Sequence, residues 1–213
     1  GGLRNVNTTQ ETLDGVSEDP GYLLGVDALI PAEMLREIAA QARLRPLISP
    51  VDCPAEEHYR PSRALADFVR ARDLTCRAPG CDRPATNCDL DHTVPYGSGG
   101  STHASNLKAL CRFHHILKTF WGWRDRQLPD GTVIWELPGG RIYITKPGST
   151  LLFPALVTPT PKAPEGDRCA MMPSRKTTRS ADRAHRIAAE RAANHAAHKT
   201  CKPSTPSGQP PPF

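Results

Sequence analysis

The chain has 213 residues, a formal net charge of +5 and 38% hydrophobic residues, which allows one or two domains. Its 22 prolines and 16 glycines, with only 6% aromatic residues, indicate that a good part of it has no packed core. No apolar run approaches the roughly 18 residues of a membrane span, and the N-terminus lacks a basic region followed by an apolar core. The sequence therefore predicts a cytoplasmic protein without a membrane partner.

Charge is distributed unevenly along the chain. Residues 1–60 hold 5 Lys and Arg against 10 Asp and Glu, residues 61–157 hold 12 against 8, and residues 158–213 hold 10 against 4. Basic surfaces attract phosphate backbones without reading base sequence. The middle and last parts are therefore candidates for nucleic-acid contact, with a merely solubilising surface as the alternative.

The N-terminal elements come first in chain order. Residues 1–26 show little periodicity, which predicts loop or frayed structure, and a helix with Leu35 on its apolar face is expected from Pro31. Ser62 is a typical N-cap and predicts a second helix. The side chains expected on the inner face of that helix are Leu65, Phe68, Val69 and Arg72.

Four residues after this helix have the composition of a structural zinc site: Cys76, Cys81, Cys111 and His114. Three thiolates and an imidazole form a soft ligand set, and each half contributes two ligands separated by a short gap. The alternative, buried or incidental thiols, leaves the two short-gap pairs unexplained. The other cysteines lack such a partner and are predicted to be reduced, non-ligand thiols: Cys53, Cys88, Cys169 and Cys201.

A second set of residues is interleaved with the first and has the chemistry of phosphodiester hydrolysis. That reaction needs a deprotonated water and a divalent cation on the leaving oxygen. His92 is the candidate general base, because imidazole titrates closest to neutral pH. Asp91 offers the oxygen ligand that Mg²⁺ or Mn²⁺ prefers, and His115 a nitrogen ligand from a helix. His103 is expected to be a solvated loop residue.

The segment after the motif predicts a hairpin and a basic tail. For Phe120, Trp121 and Trp123, core packing is favoured over stacking on bases. Alternation from Thr132 to Leu137 predicts a strand, Pro-Gly-Gly a turn, and residues 141–145 the returning strand. Residues 180–198 favour an Ala-rich helix, and residues 202–212 are predicted to be disordered.

The stretches CRAPGC, DLDHTVPYGSGG and SNLKALCRFHHILK resemble the HNH endonuclease family in its zinc-bearing form. With RPSRALADFVRARDLTC and WGWRDRQLPDG, residues 60–156 more closely resemble bacterial repeat-element proteins of mobile DNA, which carry an HNH domain behind a helical domain of unknown function. The resemblance implies an α+β fold: a small ββα-metal (HNH, His-Me finger) core with structural zinc, flanking helices, an extra β-hairpin and disordered termini. It divides the chain into a remnant of the upstream helical domain or a linker (1–60), the nuclease domain with its hairpin (61–156) and a basic low-complexity tail (157–213).

The same resemblance implies a DNA endonuclease that hydrolyses phosphodiester bonds of double-stranded DNA, with His92, Asn106 and His115 as catalytic residues. Asn106 would hold the loop before it or orient His92, while Asp91 and His115 would bind Mg²⁺ or Mn²⁺. Lys118, on the same helix face as His115, and Arg112 would contact DNA. A zinc-stabilised DNA-binding module and an inactive mobile-element remnant stay open as alternatives, and the sequence does not indicate an oligomeric state.

Overall fold

The computed structural model describes residues 5–50, 53–161 and 179–200. The chain divides into two compact units, Gly1–Met171 and Met172–Phe213. Within the described ranges, no helix combines the length and apolar character that crossing a membrane requires.

The first unit begins with a small antiparallel sheet of three strands in the order β1-β2-β3. These strands are β1 (Val6–Asn7), β2 (Gly21–Leu23) and β3 (Ala28–Ile30), with a short helix α1 (Gln10–Leu13) between the first two. The expectation of loop or frayed structure for residues 1–26 is therefore wrong where β1, α1 and β2 form, and residues 1–4 of that range lie outside the described residues. Strands of two or three residues are too short to show an alternating pattern, and the buried ring of Tyr22 holds this sheet against Leu74 and Phe153.

Two helices follow, close to where the sequence predicts them. Pro31 precedes α2 (Ala32–Ala39), in which Leu35 is buried. Ser62 caps α3 (Arg63–Asp73), and its hydroxyl oxygen accepts the N–H of Leu65 over 3.3 Å. All four side chains predicted to face inward from α3 are buried, and the three apolar ones pack with Ala104 and Leu107.

An antiparallel hairpin and a helix form the centre of this unit. β4 (Cys88–His92) pairs with β5 (Leu107–Cys111), with Cys88 opposite Cys111 and His92 opposite Leu107. The helix α4 (Arg112–Phe120) begins directly after β5. Every residue of β5 is buried, because this strand lies between β4 and the apolar face of α3.

The loop between these strands, residues 93–106, is folded back on itself. Gly99 has a φ of 91°, in the left-handed region that favours glycine. A Cβ on Gly100 would collide with the carbonyl group of Val94. His103 is buried in this loop, with Nδ1 2.8 Å from the hydroxyl of Ser105. The expectation that His103 is solvated is therefore wrong.

A second antiparallel sheet of three strands follows α4. It consists of β6 (Arg124–Gln127), β7 (Val133–Leu137) and β8 (Arg141–Thr145), which confirms the predicted hairpin and adds one strand to it. Trp135 is fully buried against the cysteine-rich core, and its indole N–H donates to the carbonyl of Arg77 over 2.9 Å.

The three aromatic residues at and just after the end of α4 do not share one environment. Trp123 packs between His114 and Trp135, as expected of a core residue. Phe120 and Trp121 are 73% and 68% exposed, so the prediction of core packing is wrong for them. The inner face of α4 is occupied by the polar side chains of His114, His115 and Lys118, which leaves the end of the helix facing solvent.

In the second unit, α5 (Arg179–Thr200) confirms the helix predicted for residues 180–198. Its residues 181–197 are exposed. The disorder predicted for residues 202–212 falls outside the described residues, as do Cys169 and Cys201.

Candidate functional site

The four predicted zinc ligands lie together. Their ligand atoms, the Sγ atoms of Cys76, Cys81 and Cys111 and a ring nitrogen of His114, all lie within 4.8 Å of one another. Nδ1 of His114 is 3.2 Å from Sγ of Cys111 and 3.6 Å from Sγ of Cys76. The cluster could therefore hold a metal such as zinc.

The fold builds this cluster from two short segments. The chain leaving α3 supplies Cys76 and, after a turn, Cys81, while the junction of β5 and α4 supplies the other pair. The hydrogen bond with Cys88 and burial raise the pKa of Cys76, although the backbone N–H of Cys111, which donates to Sγ of Cys76 over 3.3 Å, favours the thiolate form. Burial raises the pKa of Cys81 to about 11, so a bound cation is what would keep its sulfur atom ionised at neutral pH.

Two of the remaining cysteines lie within the described residues. Cys53 is an exposed free thiol, and Cys88 is a buried free thiol in the core beside the cluster. Sγ of Cys88 donates to the carbonyl of Pro84 over 3.4 Å. Both are outside the ligand group, as predicted for them.

Asp91 and His115 form a second pair on the other side of the hairpin. Oδ1 of Asp91 is 3.5 Å from Nε2 of His115. Two ligands at right angles around Mg²⁺, each about 2.1 Å from it, would be about 3 Å apart. The two atoms are therefore close to the separation of neighbouring ligands on one small cation.

Asp89 fixes the orientation of the His115 ring. Its Oδ2 is 2.8 Å from Nδ1 of His115, and the hydrogen bond with His115, opposed by burial and aided by Arg112, lowers the pKa of this carboxyl. An ionised carboxylate only accepts hydrogen bonds, so Nδ1 carries the proton. In the neutral ring, Nε2 then presents a lone pair toward Asp91, which is how metal-binding histidines are commonly oriented.

Asp91 also lies in a buried group of charges, which we call the lysine–carboxylate network: Asp91, Asp125, Lys108 and Lys118. The ammonium of Lys108 is 2.7 Å from Asp91 and 2.5 Å from Asp125, and that of Lys118 is 2.6 Å and 3.2 Å from the same carboxylates. Burial alone would raise the pKa of Asp91, but the two ammonium groups outweigh it and lower that pKa. Asp91 is therefore ionised at neutral pH.

His92 has different neighbours. Its ring is only 5% exposed, its Nε2 lies 3.0 Å from the hydroxyl of Thr102, and it stacks on Tyr59 with ring centres 5.3 Å apart. Successive side chains of a strand point to opposite faces, so the ring of His92 lies on the face of β4 opposite to the carboxylate of Asp91. The structure thus brings Asp91 and His115 together and places the ring of His92 in the adjoining layer under Tyr59.

Asn106 makes the hydrogen bonds expected of a residue that holds the loop. Its Oδ1 accepts the N–H of Val94 over 2.8 Å, and its Nδ2 donates to the carbonyls of Val94 and Ser101 over 3.0 Å and 2.9 Å. These bonds close residues 94–106 into a compact loop that ends beside His92.

The two predicted DNA contacts lie in different surroundings. The side chain of Arg112 is 75% exposed and pairs with Asp89 over 3.2 Å. The side chain of Lys118 is 11% exposed, and its ammonium also donates to the carbonyl of His92 over 2.6 Å. Arg112 can reach a phosphate from its present position, whereas Lys118 would first have to leave these partners.

Several residues that shape the site have no role in the sequence predictions: Asp89, Lys108, Asp125, Tyr59 and Thr102. Asp89 precedes Asp91 by two positions on a strand, so both lie on one face, and this spacing was a usable signal. Lys108 interrupts the apolar run LKALC, and a charged residue within an apolar strand was also a usable signal. Nothing local marks Asp125, because only the packing of β6 brings it to Lys108.

Comparison with known proteins gives relatives but no activity. A family described as "Domain of unknown function (DUF222)" matches residues 5–73. The uncharacterized protein Rv2100 of Mycobacterium tuberculosis is 54% identical over 178 residues, which cover 79% of this chain and 32% of that protein. The uncharacterized protein Rv3776 of the same organism is 50% identical over 186 residues, 81% of this chain and 35% of that protein. No solved structure matches.

The chain thus spans about a third of the length of these two relatives. Residues 5–73 contain the N-terminal sheet, α1, α2 and all of α3. The cysteine–histidine cluster and the residues of the hairpin and α4 lie after that match. What is similar to a domain of unknown function is therefore the part of the chain that precedes both sites.

Proposed function

We propose that the chain carries a zinc-stabilised HNH endonuclease domain that hydrolyses phosphodiester bonds of double-stranded DNA with Mg²⁺ or Mn²⁺. One observation carries the proposal: Oδ1 of Asp91 and Nε2 of His115 face each other over 3.5 Å, and Asp89 fixes the ring through Nδ1. A hard oxygen and an oriented imidazole nitrogen at that distance suit a small divalent cation.

The arrangement of elements also supports the proposal. A hairpin followed directly by a helix, β4-β5-α4, is the order expected of a ββα-metal core. The cysteine–histidine cluster joins the segment before this unit to the junction of β5 and α4, and residues 61–157 carry more basic than acidic side chains. The match to a domain of unknown function lies before these elements, the order that the sequence resemblance implies.

Each residue then has a defined task. His92 accepts a proton from the attacking water, while Asp91 and His115 hold the cation, which would stabilise charge on the leaving oxygen. Asn106 keeps the loop closed beside His92, and Arg112 pairs with a backbone phosphate. Because Tyr59 covers the ring of His92, substrate access requires the Tyr59 side chain to move, and that side chain is largely exposed.

The test is cleavage of supercoiled plasmid by the purified chain with Mg²⁺ or Mn²⁺. Loss of a general base lowers rates by roughly 10²- to 10⁴-fold, so His92→Ala should leave the plasmid supercoiled while zinc content and circular dichroism stay unchanged. The matched control is His185→Ala, the same substitution at an exposed position of α5, which should cut like wild type.

A DNA-binding module without cleavage is the second candidate, favoured by one specific observation. Lys108 and Lys118 already neutralise Asp91, and this opposes binding of a further cation. If the wild type and His92→Ala both leave the plasmid intact and both retard DNA equally on a gel, the chain binds DNA without cleaving it. Retained zinc with neither cleavage nor retardation would identify an inactive mobile-element remnant.

A further inference from the structure

The position of Lys118 conflicts with simple cation binding at Asp91. Its ammonium donates to Oδ2 of Asp91 over 2.6 Å and to the carbonyls of His92 and Thr93 over 2.6 Å and 3.3 Å. These three acceptors use all three ammonium hydrogens. Lys118 is therefore seated in the structure as a cation would be, beside the carboxylate oxygen that does not face His115.

The charges of the lysine–carboxylate network balance without any further ion. Two carboxylates, Asp91 and Asp125, face two ammonium groups, Lys108 and Lys118. A divalent cation added between Asp91 and His115 would place two more positive charges in a poorly solvated site, where uncompensated charge is costly. One ammonium group must leave for the cation to bind well.

Only one of the two lysines can leave easily. Lys108 is fully buried between both carboxylates. Lys118 lies at the edge of the network, and its side chain reaches solvent. It is also three residues after His115 on α4, so its flexible stem starts on the same helix face as the candidate ligand.

We propose that Lys118 is a displaceable counter-ion of Asp91. Its ammonium neutralises the carboxylate while no divalent cation is bound, and it leaves Asp91 when a cation binds between Asp91 and His115. The freed ammonium then projects from α4 beside the site, where it can donate to a phosphate oxygen. This inference rests on the cation site of the proposed function and adds to it a residue that couples cation binding to phosphate capture.

Titration with Mn²⁺ in the absence of DNA tests the proposal. Free Mn²⁺, followed by electron paramagnetic resonance, gives the affinity of the zinc-loaded full chain. Lys118→Met removes the competing charge and should bind Mn²⁺ about tenfold more tightly or better. Lys146→Met, the same substitution at an exposed lysine, should bind like wild type. Equal or weaker binding by Lys118→Met, with its zinc retained, overturns the proposal.

A measurement on the wild type covers the case in which Lys118→Met does not fold. In a chain labelled with ¹³C at the lysine ε carbons, saturating Mg²⁺ should shift the Lys118 signal and leave that of Lys108 in place. An unchanged Lys118 signal at saturation rejects the displacement.

Plasmid cleavage measured on the same samples separates this proposal from the proposed function. Tighter Mn²⁺ binding by Lys118→Met in a chain that never cuts would uphold the counter-ion and reject the endonuclease. Cleavage by the wild type, with the same Mn²⁺ affinity in Lys118→Met as in the wild type, would uphold the endonuclease and reject the counter-ion.

Discussion

Oδ2 of Asp89 accepts a hydrogen bond from Nδ1 of His115 over 2.8 Å. This contact decides which nitrogen of the ring is available to a cation, because the ring has one proton to place when it is neutral. Asp89 thereby acts on the candidate site through His115, as a positioning residue, without itself facing Asp91.

Replacing Asp89 tests that positioning role. Outer-shell partners of a metal-binding histidine typically contribute 10- to 100-fold in affinity, so Asp89→Asn should weaken Mn²⁺ binding by about that factor. Zinc content should stay unchanged, because Asp89 is outside the cysteine–histidine cluster. Asp14→Asn, at an exposed position, serves as the control. Unchanged Mn²⁺ affinity in Asp89→Asn would show that the hydrogen bond does not orient His115.

The cysteine–histidine cluster predicts that the folded core depends on bound zinc. Cys111→Ser should lose the bound zinc and unfold the core, because the cluster joins the segment after α3 to the junction of β5 and α4. Metal analysis and near-UV circular dichroism measure both effects, and a strong chelator should reproduce them in the wild type. Cys53→Ser changes an exposed thiol and should have neither effect. A folded, zinc-free Cys111→Ser would contradict a structural role.

The hydrogen bonds of Asn106 predict that replacing this residue lowers the stability of the folded protein. Asn106→Ala would remove three hydrogen bonds and leave the partner groups on Val94 and Ser101 unsatisfied. With about 1–3 kcal/mol for each buried group left without a partner, partly relieved by water, we expect the free energy of unfolding to fall by roughly 2–4 kcal/mol. Urea denaturation measures it. A loss well below 1 kcal/mol would mean that the loop closes without this side chain.

The position of Tyr59 predicts that it limits the access of reagents in solution to the ring of His92. Because the two rings stack, Tyr59→Ala should expose the imidazole and speed its modification by diethyl pyrocarbonate, located by peptide mass spectrometry. Tyr59→Phe keeps the ring and should leave the rate unchanged. Equal rates in wild type and Tyr59→Ala would show that Tyr59 does not limit access.

The lysine–carboxylate network predicts a dependence of stability on pH. The pKa of Asp91 is lowered in the folded protein, so its ion pairs stabilise fully above the ordinary carboxyl pKa of about 3.9 and lose their effect as the pH falls through the lower folded value. Asp91→Asn should cost about 3 kcal/mol or more at pH 7. The difference in urea midpoint between the two proteins should shrink below about pH 4. A difference that is constant with pH would contradict ionisation of Asp91 as its source.

The sequence reveals the parts of this fold that depend on local patterns. Ser62 as an N-cap, the strand that ends at Leu137 and the cysteine–histidine cluster follow from spacing and residue type alone. The N-terminal sheet does not, because its strands are too short for an alternating pattern and depend on distant residues such as Phe153.

The candidate site divides in the same way. The pairing of Asp91 with His115 follows from the motif, whereas the burial of His92 under Tyr59 depends on a segment more than thirty residues earlier in the chain. The exposure of Phe120 and Trp121 was mispredicted because large rings usually fill a small core, and here Trp135 from the later sheet fills it.

The contact between Lys108 and Asp125 limits where the protein can be truncated without loss of its fold. A fragment ending after α4 would keep both buried ammonium groups and only one of their two carboxylates. The same fragment would lose the carbonyls of Gly131 and Thr145, to which the guanidinium of Arg77 donates beside the first cluster ligand. The shortest piece able to fold around the hairpin must therefore extend through β8, well beyond the last motif residue.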